Sequence, residues 1–460
     1  MNNTTQKIGY LPDETPPLWK LFLYAIQQVI VMFPATVAVA LITNFHISTT
    51  IFASGLATIC FIMVTGRQIP LYYGSSFSYV AAIGSLMASN QLASSSLNEK
   101  IAVAQFGIIM SGFVSVFAGL IVKRFGRDSI EKVLPASVTG PIAMVIGLTL
   151  AATALGDAAS FTGASVTKAQ TPLATNLVWV VSLITLISTI LFSAYLKGIL
   201  GQLPLLFGPA LGCLTAFVIH QVTGINLFRA LPEAANNGFF ALPIFTLPKP
   251  SLFAVAAIMP IAIATIPEST AHIYQLDIYV NDLAKKKGSK KVYNLADKLG
   301  LNLIGDGIGD MVSAFVGGPA GTNYGENISA MAITKVFSVP VLIGAALIAM
   351  LISCFTPLIN MIYSLPTPVI GGLEVFLFGA IAAQGTAIMI EKKVDMFSAK
   401  NIAVIATIMI IGIGGQYKFG GNIPFFGADI PCVAGAAIFG IILNLLLSIG
   451  SKKNKTEENA

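Results

Sequence analysis

The chain is dominated by apolar runs of roughly 20 residues, the length that a helix needs to cross the hydrocarbon of a bilayer. About fourteen such runs follow one another between residues 18 and 449, separated by short polar stretches. Inside hydrocarbon the backbone must satisfy its own hydrogen bonds, and a helix does so within one segment. The sequence therefore predicts an all-α polytopic membrane protein with about 14 transmembrane segments.

The composition excludes the soluble classes of protein. Of the 460 residues, 55% are hydrophobic and 10% are charged, against roughly 25% charged residues in soluble domains. The 4 cysteines lie apart without CxxC spacing and the 3 histidines are scattered, so we expect no metal site and no cofactor. The sequence has no phosphate loop, serine-nucleophile elbow or HExxH motif. We therefore expect a protein that is not an enzyme, and nothing in the sequence supports ATP-driven transport by this chain alone.

The placement of charge predicts the topology. The net charge is +6, and most Lys and Arg residues fall in alternate loops, which the positive-inside rule places in the cytoplasm. We therefore interpret them as orienting the chain in a membrane and expect no nucleic-acid partner. The predicted organisation is a cytoplasmic N-terminal tail (1–17), a first seven-span repeat (18–222), an extracellular linker (223–250), a second seven-span repeat (251–449) and a cytoplasmic C-terminal tail (450–460).

An internal repeat relates the two halves. The stretch YYGSSFSYVAAI in the first half matches NYGENISAMAI in the second, with Tyr73 opposite Tyr324 and Gly74 opposite Gly325. Farther along, LPASVTG matches LPTPVIG in the same order. An odd number of spans per half makes the halves face opposite ways, and inverted repeats with glycine-interrupted segments are typical of secondary transporters. We expect the substrate site where the two interrupted segments meet.

Glu326 is the acid within this repeat. It follows Gly325 at the expected start of a helix, where the dipole and the free N–H groups favour acceptors. In the first half, Ser76 stands where Glu326 would be expected. A helix cap can be built from Ser or Asn without a charge, so the carboxylate indicates a substrate or ion site.

Other polar residues in apolar runs are further candidates. Glu268 and His272 are four residues apart in IPESTAH, so they share a helix face, and such a pair suits proton handling; a structural hydrogen-bonded pair is the alternative. Asp306 lies in GDGIGD, where a wet helix beside a cavity and direct chemistry explain the acid equally well. Secondary candidates are Gln28, Ser76, Asp306 and Asn327.

At these motifs the chain resembles the nucleobase–ascorbate transporter family, also called nucleobase–cation symporter 2, and within it the bacterial uracil permeases. The match rests on NYGENISAMAITKVFS in the tenth span, GSSFSY in the third, PESTAH in the eighth and LPTPVIGG in the twelfth. The resemblance implies two inverted seven-span repeats, with short strands in spans 3 and 10. It also implies a core domain of spans 1–4 and 8–11, a gate domain of spans 5–7 and 12–14, a location in the bacterial inner membrane, and a homodimer as a candidate assembly.

The resemblance assigns roles to individual residues. It gives proton coupling to His272 together with Glu268, with H⁺ as the coupling ion. Many members carry Gln-His on the first span, where Gln28 in this chain removes the titratable group. The implied substrate-binding residues are Glu268, Glu326, Gly325, Phe77, Tyr324 and Ala35.

The chemistry of uracil fits these residues. Carboxylates can accept from its two N–H groups, and backbone N–H groups at two helix starts can donate to its carbonyls. Phe77 and Tyr324 are suited to form flat apolar walls. The sequence predicts a transporter that imports uracil by proton symport. Two alternatives stay open: a permease of the same family for xanthine, urate or another purine, and an anion exchanger or channel of similar fold.

Overall fold

The fold is described from a computed structural model that covers residues 9–126, 132–161, 171–198, 200–231, 238–426 and 428–457. The predicted tails and the predicted linker lie partly outside these described residues. The helices are α1 Leu18–Thr43, α2 Ile47–Val64, α3 Val80–Met87, α4 Leu97–Phe125, α5 Ala136–Thr149, α6 Ala151–Ala158, α7 Thr171–Tyr195, α8 Pro204–Thr223, α9 Leu252–Ile258, α10 Ala262–Lys286, α11 Leu299–Val316, α12 Gly325–Thr334, α13 Val339–Ile352, α14 Thr356–Tyr363, α15 Thr367–Glu391, α16 Ala399–Phe419 and α17 Cys432–Glu457. The strands are β1 Tyr73–Ser75, β2 Gly321–Asn323, β3 Asn422–Phe425 and β4 Ala428–Pro431.

Helices long enough to span a bilayer account for most of the described chain. Within the described residues, eleven helical segments are long and apolar enough to cross a membrane. Shorter apolar helices in the same ranges occupy Phe77–Met87 and Val339–Ile352. The chain is therefore a multi-pass membrane protein built almost entirely from helices, while the number of crossings stays a prediction.

The two interrupted segments meet through β1 and β2, which pair antiparallel around Gly74 and Thr322. Beyond the ladder, the N–H of Tyr324 donates to the carbonyl of Tyr72 at 3.0 Å, and the N–H of Ser76 donates to the carbonyl of Ala320 at 2.9 Å. The two bonds occupy equivalent places on either side of the ladder. The two halves are therefore related as inverted repeats at this crossing.

The hydrogen bonding corrects the predicted alignment of the repeat, which is wrong by three residues at the Tyr-Gly pair and by two residues at Ser76. The helical turns that follow the two strands begin at Phe77 and at Gly325. Phe77 is therefore the counterpart of Gly325, and Ser78, rather than Ser76, is the counterpart of Glu326. A shared Tyr-Gly pair is too short to define a register, whereas an antiparallel ladder defines it residue by residue.

Close helix packing holds the crossing in place. A methyl group built on Gly112 of α4 would lie 2.5 Å from the carbonyl oxygen of Gly307 on α11, and one on Gly119 would lie 2.6 Å from that of Gly300. Small residues at such contacts allow backbones in a membrane to approach closely. Elsewhere, α15 packs against α5–α8. The division into core and gate domains stays a prediction.

Candidate functional site

The helix α10 carries two of the predicted site residues. Glu268 and His272 are both half-buried, and they share one face of the helix. Pro267 also lies within this helix. The hydroxyl of Ser78 donates to Oε2 of Glu268 at 3.4 Å. This contact, at the long end of the hydrogen-bond range, brings α10 to the first interrupted segment.

Two helix starts face this region. The turn beginning at Phe77 is capped by Ser76, whose hydroxyl accepts from the N–H of Ser78 at 3.3 Å, and α12 begins at Gly325. The first N–H groups of a helix have no acceptor within the helix, and they carry the positive end of its dipole. Phe77 and Gly325 are half-buried. Both starts are therefore suited to donate to a carbonyl oxygen.

His272 lies against the second helix start. A methyl group built on Gly325 would come within 2.9 Å of Nε2 of His272. The other ring nitrogen, Nδ1, is buried and has no hydrogen-bond partner within the described part of the chain. Glu326, in the first turn of α12, is half-buried and close enough to Glu268 for the two carboxylates to repel each other. The structure therefore brings Glu268, His272, Gly325 and Glu326 together.

Tyr324, which precedes Gly325, supports this group of residues by packing against the first interrupted segment and α1. Its side chain is 3% exposed, and its ring lies on Gly74, where an added methyl group would come within 2.4 Å of the ring. Its hydroxyl donates to the carbonyl of Ser75 at 3.0 Å and shares a hydrogen bond of 2.9 Å with Thr36 of α1. Ala35, next to Thr36, is also buried. The ring of Tyr324, predicted to form a flat apolar wall of the site, is thus buried by its neighbours in this conformation, whereas the ring of Phe77 is half-buried.

Gln28 and Asn327 form a buried amide pair. The side-chain Nδ2 of Asn327 donates to Oε1 of Gln28 at 2.8 Å and to its main-chain carbonyl at 3.0 Å. Both side chains are at most 1% exposed. The pair ties α1 to α12, so these two secondary candidates bind each other across neighbouring helices.

Asp306 and Asp310 organise the layer beneath the strands. Asp306 accepts from Nδ2 of Asn323 at 2.6 Å and from the hydroxyl of Ser269 on α10. Asp310 accepts from the hydroxyl of Tyr73 and from the N–H of Gly321, each at 2.7 Å. Both acids border a small cavity. In the described ranges, no group of three or more His, Cys, Asp or Glu side chains is arranged to hold a metal ion.

A crevice of about 740 Å³ opens along α10. It runs between α10 and the start of α5 and is lined by Pro267 and Ala271, the neighbours of Glu268 and His272 in sequence. Its outer part is lined by Lys392 and other residues at the end of α15. Neither Glu268 nor His272 lines the crevice, which therefore borders the helix that carries them without entering the group of site residues.

Sequence reasoning missed some of the residues that build the site. Ser78 was hidden by the incorrect repeat alignment, although its position one residue after Phe77 was an available signal. Ser269, Asn323 and Tyr73 bind the two aspartates, and only the folded chain brings them there. The only indication of these contacts in the sequence was that polar residues occur near the predicted acids.

Comparisons with known proteins agree with these features. A family model described as "Permease family" matches residues 19–420. The uracil permease of Bacillus caldolyticus is 34% identical over 443 residues, covering 95% of this chain and 94% of the relative. That of Escherichia coli (strain K12) is 31% identical over 447 residues, covering 97% of this chain and 95% of the relative.

A solved structure, that of SLC26A9, shares the fold. It superimposes with a TM-score of 0.63 at 13% sequence identity over 94% of this chain, which spans about two thirds (66%) of the length of that protein. An identity this low supports the fold alone. Because the family model and the two full-length relatives confirm the resemblance of the motifs, the chain belongs to this permease family, that of the nucleobase–ascorbate transporters.

Proposed function

We propose that this permease imports uracil across the bacterial inner membrane by proton symport. The observation that carries the proposal is the meeting of two acids, Glu268 and Glu326, with two helix starts, Phe77 and Gly325. The relatives named uracil permeases support the choice of base. Both termini in the cytoplasm and assembly as a homodimer remain part of the proposal.

The geometry suits a planar base with alternating donors and acceptors. The carboxylates of Glu268 and Glu326 accept from the two ring N–H groups of uracil. The backbone N–H groups at Phe77 and Gly325 donate to its two carbonyl oxygens, assisted by the helix dipoles. The ring of Phe77 stacks on the base. This pattern discriminates by hydrogen bonding, because an analogue that lacks one group leaves a half-buried partner unpaired.

The proposed coupling uses the contact between His272 and the second helix start. His272 places Nε2 beside Gly325, and it is one helical turn from Glu268 on α10. A proton on either side chain therefore alters the charge next to the base, and binding of the base alters the affinity for the proton. The proposed release route follows the crevice beside α10 toward the lysine-bearing face, which the positive-inside rule places in the cytoplasm.

The two alternatives have less support. A purine permease of the same family keeps the site and changes the base, but the relatives are named uracil permeases. An anion exchanger or channel would share the fold, but two carboxylates at the site disfavour the binding of an anion there.

Binding and uptake by purified protein in proteoliposomes test the proposal. We expect labelled uracil to accumulate under an inward proton gradient and a protonophore to abolish accumulation. Uptake that ignores the protonophore would refute the coupling, and no uptake by the wild type would refute the substrate. Competition with unlabelled xanthine or urate distinguishes the purine alternative.

Glu326→Gln tests the central assignment. Gln keeps an acceptor oxygen but replaces a charge-assisted hydrogen bond of about 1.5–3 kcal/mol by a neutral one of about 0.5–1.5 kcal/mol, so we expect uracil affinity to fall by about 5- to 10-fold. Glu99→Gln is the matched control, because Glu99 completes a capping box at the start of α4 that Gln preserves. Wild-type affinity in Glu326→Gln would overturn the role of this acid.

A further inference from the structure

The first described residues of the chain run as a strap across one end of the bundle. We define the strap as residues 9–14. The N–H of Tyr10 donates to the carbonyl of Lys335, and the N–H of Phe337 donates back to the carbonyl of Tyr10, both at 2.8 Å. Farther along, the N–H of Val339 donates to the carbonyl of Pro12 at 3.1 Å. The strap is thus hydrogen-bonded like an added strand to the residues that follow α12.

The same strap is bound to the residues that follow α10. Nζ of Lys287 lies 2.5 Å from Oε2 of Glu14 and donates to the carbonyl of Gly9 at 3.0 Å. Asp13 accepts from Nζ of Lys291 at 2.6 Å and from the hydroxyl of Tyr293 at 2.5 Å. The basic run KKKGSKK, residues 285–291, therefore has specific partners in the strap.

The contacts differ in strength. Asp13 and Lys291 are about half-exposed, at 51% and 56%, and such pairs contribute little. Lys287 is 15% exposed and Glu14 is 34% exposed, so water screens their pair less. The backbone contact is the tightest: Gly9 has a φ of +150°, and a methyl group built on it would lie 2.3 Å from the carbonyl oxygen of Lys335. Gly9, Glu14 and Lys287 are therefore the main points of attachment.

The two anchored elements are those that carry the two glutamates. Glu268 lies on α10 and Glu326 lies in the first turn of α12. Because α12 has 10 residues, its length is about 15 Å, so a movement at its end near Lys335 is carried to Gly325. A strap that holds both helix ends restricts how far the two glutamates can separate.

We infer that the strap positions the substrate site by holding the ends of α10 and α12 at a fixed distance from each other, with Gly9, Glu14 and Lys287 as positioning residues. The inference rests on the proposed function for its effect on uracil. It assigns to the N-terminal segment a role in affinity, which a cytoplasmic tail that only precedes the first span would not have.

Purified full-length protein tests this role with two measurements. The dissociation constant for uracil reports the site, and hydrogen exchange of residues 325–334 without uracil reports the mobility of α12. For Gly9→Ala and for Lys287→Met we expect affinity to fall by roughly 2- to 30-fold and exchange in α12 to accelerate. Lys286→Met is the matched control, because Lys286 pairs with Asp282 on the exposed surface of α10, and we expect no change in either quantity.

Charge exchange separates positioning from simple stabilisation. Glu14→Lys and Lys287→Glu should each weaken uracil binding. The double variant should recover part of the lost affinity, because it restores the ion pair but not the bond from Lys287 to the carbonyl of Gly9. Unchanged affinity in all strap variants that also melt at a lower temperature would overturn the inference and leave the strap a purely structural element. If the wild type binds no uracil, the proposed function fails, while unaltered exchange of α12 in Gly9→Ala would separately refute the strap.

Discussion

Nε2 of His272 occupies the space that a side chain would need at Gly325, with only 2.9 Å between it and a methyl group built there. The two residues come from different spans, α10 and α12. The absence of a side chain at Gly325 therefore lets the imidazole reach a helix start that also carries Glu326. This contact joins the proposed proton-handling residue to the proposed binding site.

Gly325→Ala should displace either the imidazole or the start of α12. We expect uracil affinity to fall by about tenfold or more while the protein still folds, because the neighbour that must move is a side chain at a half-buried position. Binding by purified protein measures the effect. Gly84→Ala on α3 is the control, since a methyl group there meets nothing within 4 Å. Equal affinities in the two variants would contradict the contact.

Ser78→Ala should have a small effect on transport. The hydroxyl reaches Oε2 of Glu268 at 3.4 Å. Because this is at the long end of the hydrogen-bond range, we take its contribution as about 0.5–1.5 kcal/mol. We therefore expect KM for uracil to rise by about two- to tenfold with little change in melting temperature. Ser364→Ala, whose hydroxyl donates to the carbonyl of Met361, is the control. A KM equal to that of the control would show that Ser78 does not orient Glu268.

Asp310→Ala should destabilise the protein. It removes the acceptor of the N–H of Gly321 and leaves the hydroxyl of Tyr73 only its second acceptor, the carbonyl of Asp306 at 3.1 Å. A buried unpaired group costs about 1–3 kcal/mol. We expect a clearly lower melting temperature, together with loss of uptake because β1 and β2 are no longer held. Asp310→Asn keeps an acceptor oxygen and should be milder. A melting temperature unchanged in Asp310→Ala would contradict the structural role.

The contribution of Asp13 to the stability of the protein should not depend on pH near neutrality. Partial burial acts to raise the pKa of Asp13, but hydrogen bonds from Lys291 and Tyr293 outweigh it and hold the pKa below its usual 3.8. Since the folded-state pKa is depressed, the contribution of Asp13 is complete above pH 3.8 and is lost as the pH falls through the lower value. We expect the difference in melting temperature between wild type and Asp13→Asn to stay constant from roughly pH 5 to pH 8. A difference that vanishes near pH 6 would show that Asp13 titrates higher than its contacts imply.

The pattern of apolar residues was sufficient to predict the class of fold. Backbone groups in hydrocarbon must be paired within a segment, so runs such as Leu18–Thr43 have essentially one structural solution. The choice of Glu268 and Glu326 as candidates also follows from local facts, since acids are costly in apolar segments, whereas the resemblance to the family placed both in one site. These inferences needed no knowledge of how the helices pack.

The placement of the remaining residues could not be inferred in this way. The ladder around Gly74 decides that Ser78 is the counterpart of Glu326, and a two-residue motif does not contain that information. The same holds for Tyr324, which looked like a wall of the site and is instead a buried brace on Thr36 and Ser75.

The sequence by itself determined a multi-pass helical bundle with two interrupted segments and two intramembrane glutamates, because hydrophobic length and the cost of buried charge act locally along the chain. Only the tertiary structure decided the register of β1 against β2, the layer of bonds around Asp306, and the strap across the ends of α10 and α12. These features depend on contacts between residues far apart in sequence, whose distances arise only when the helices pack.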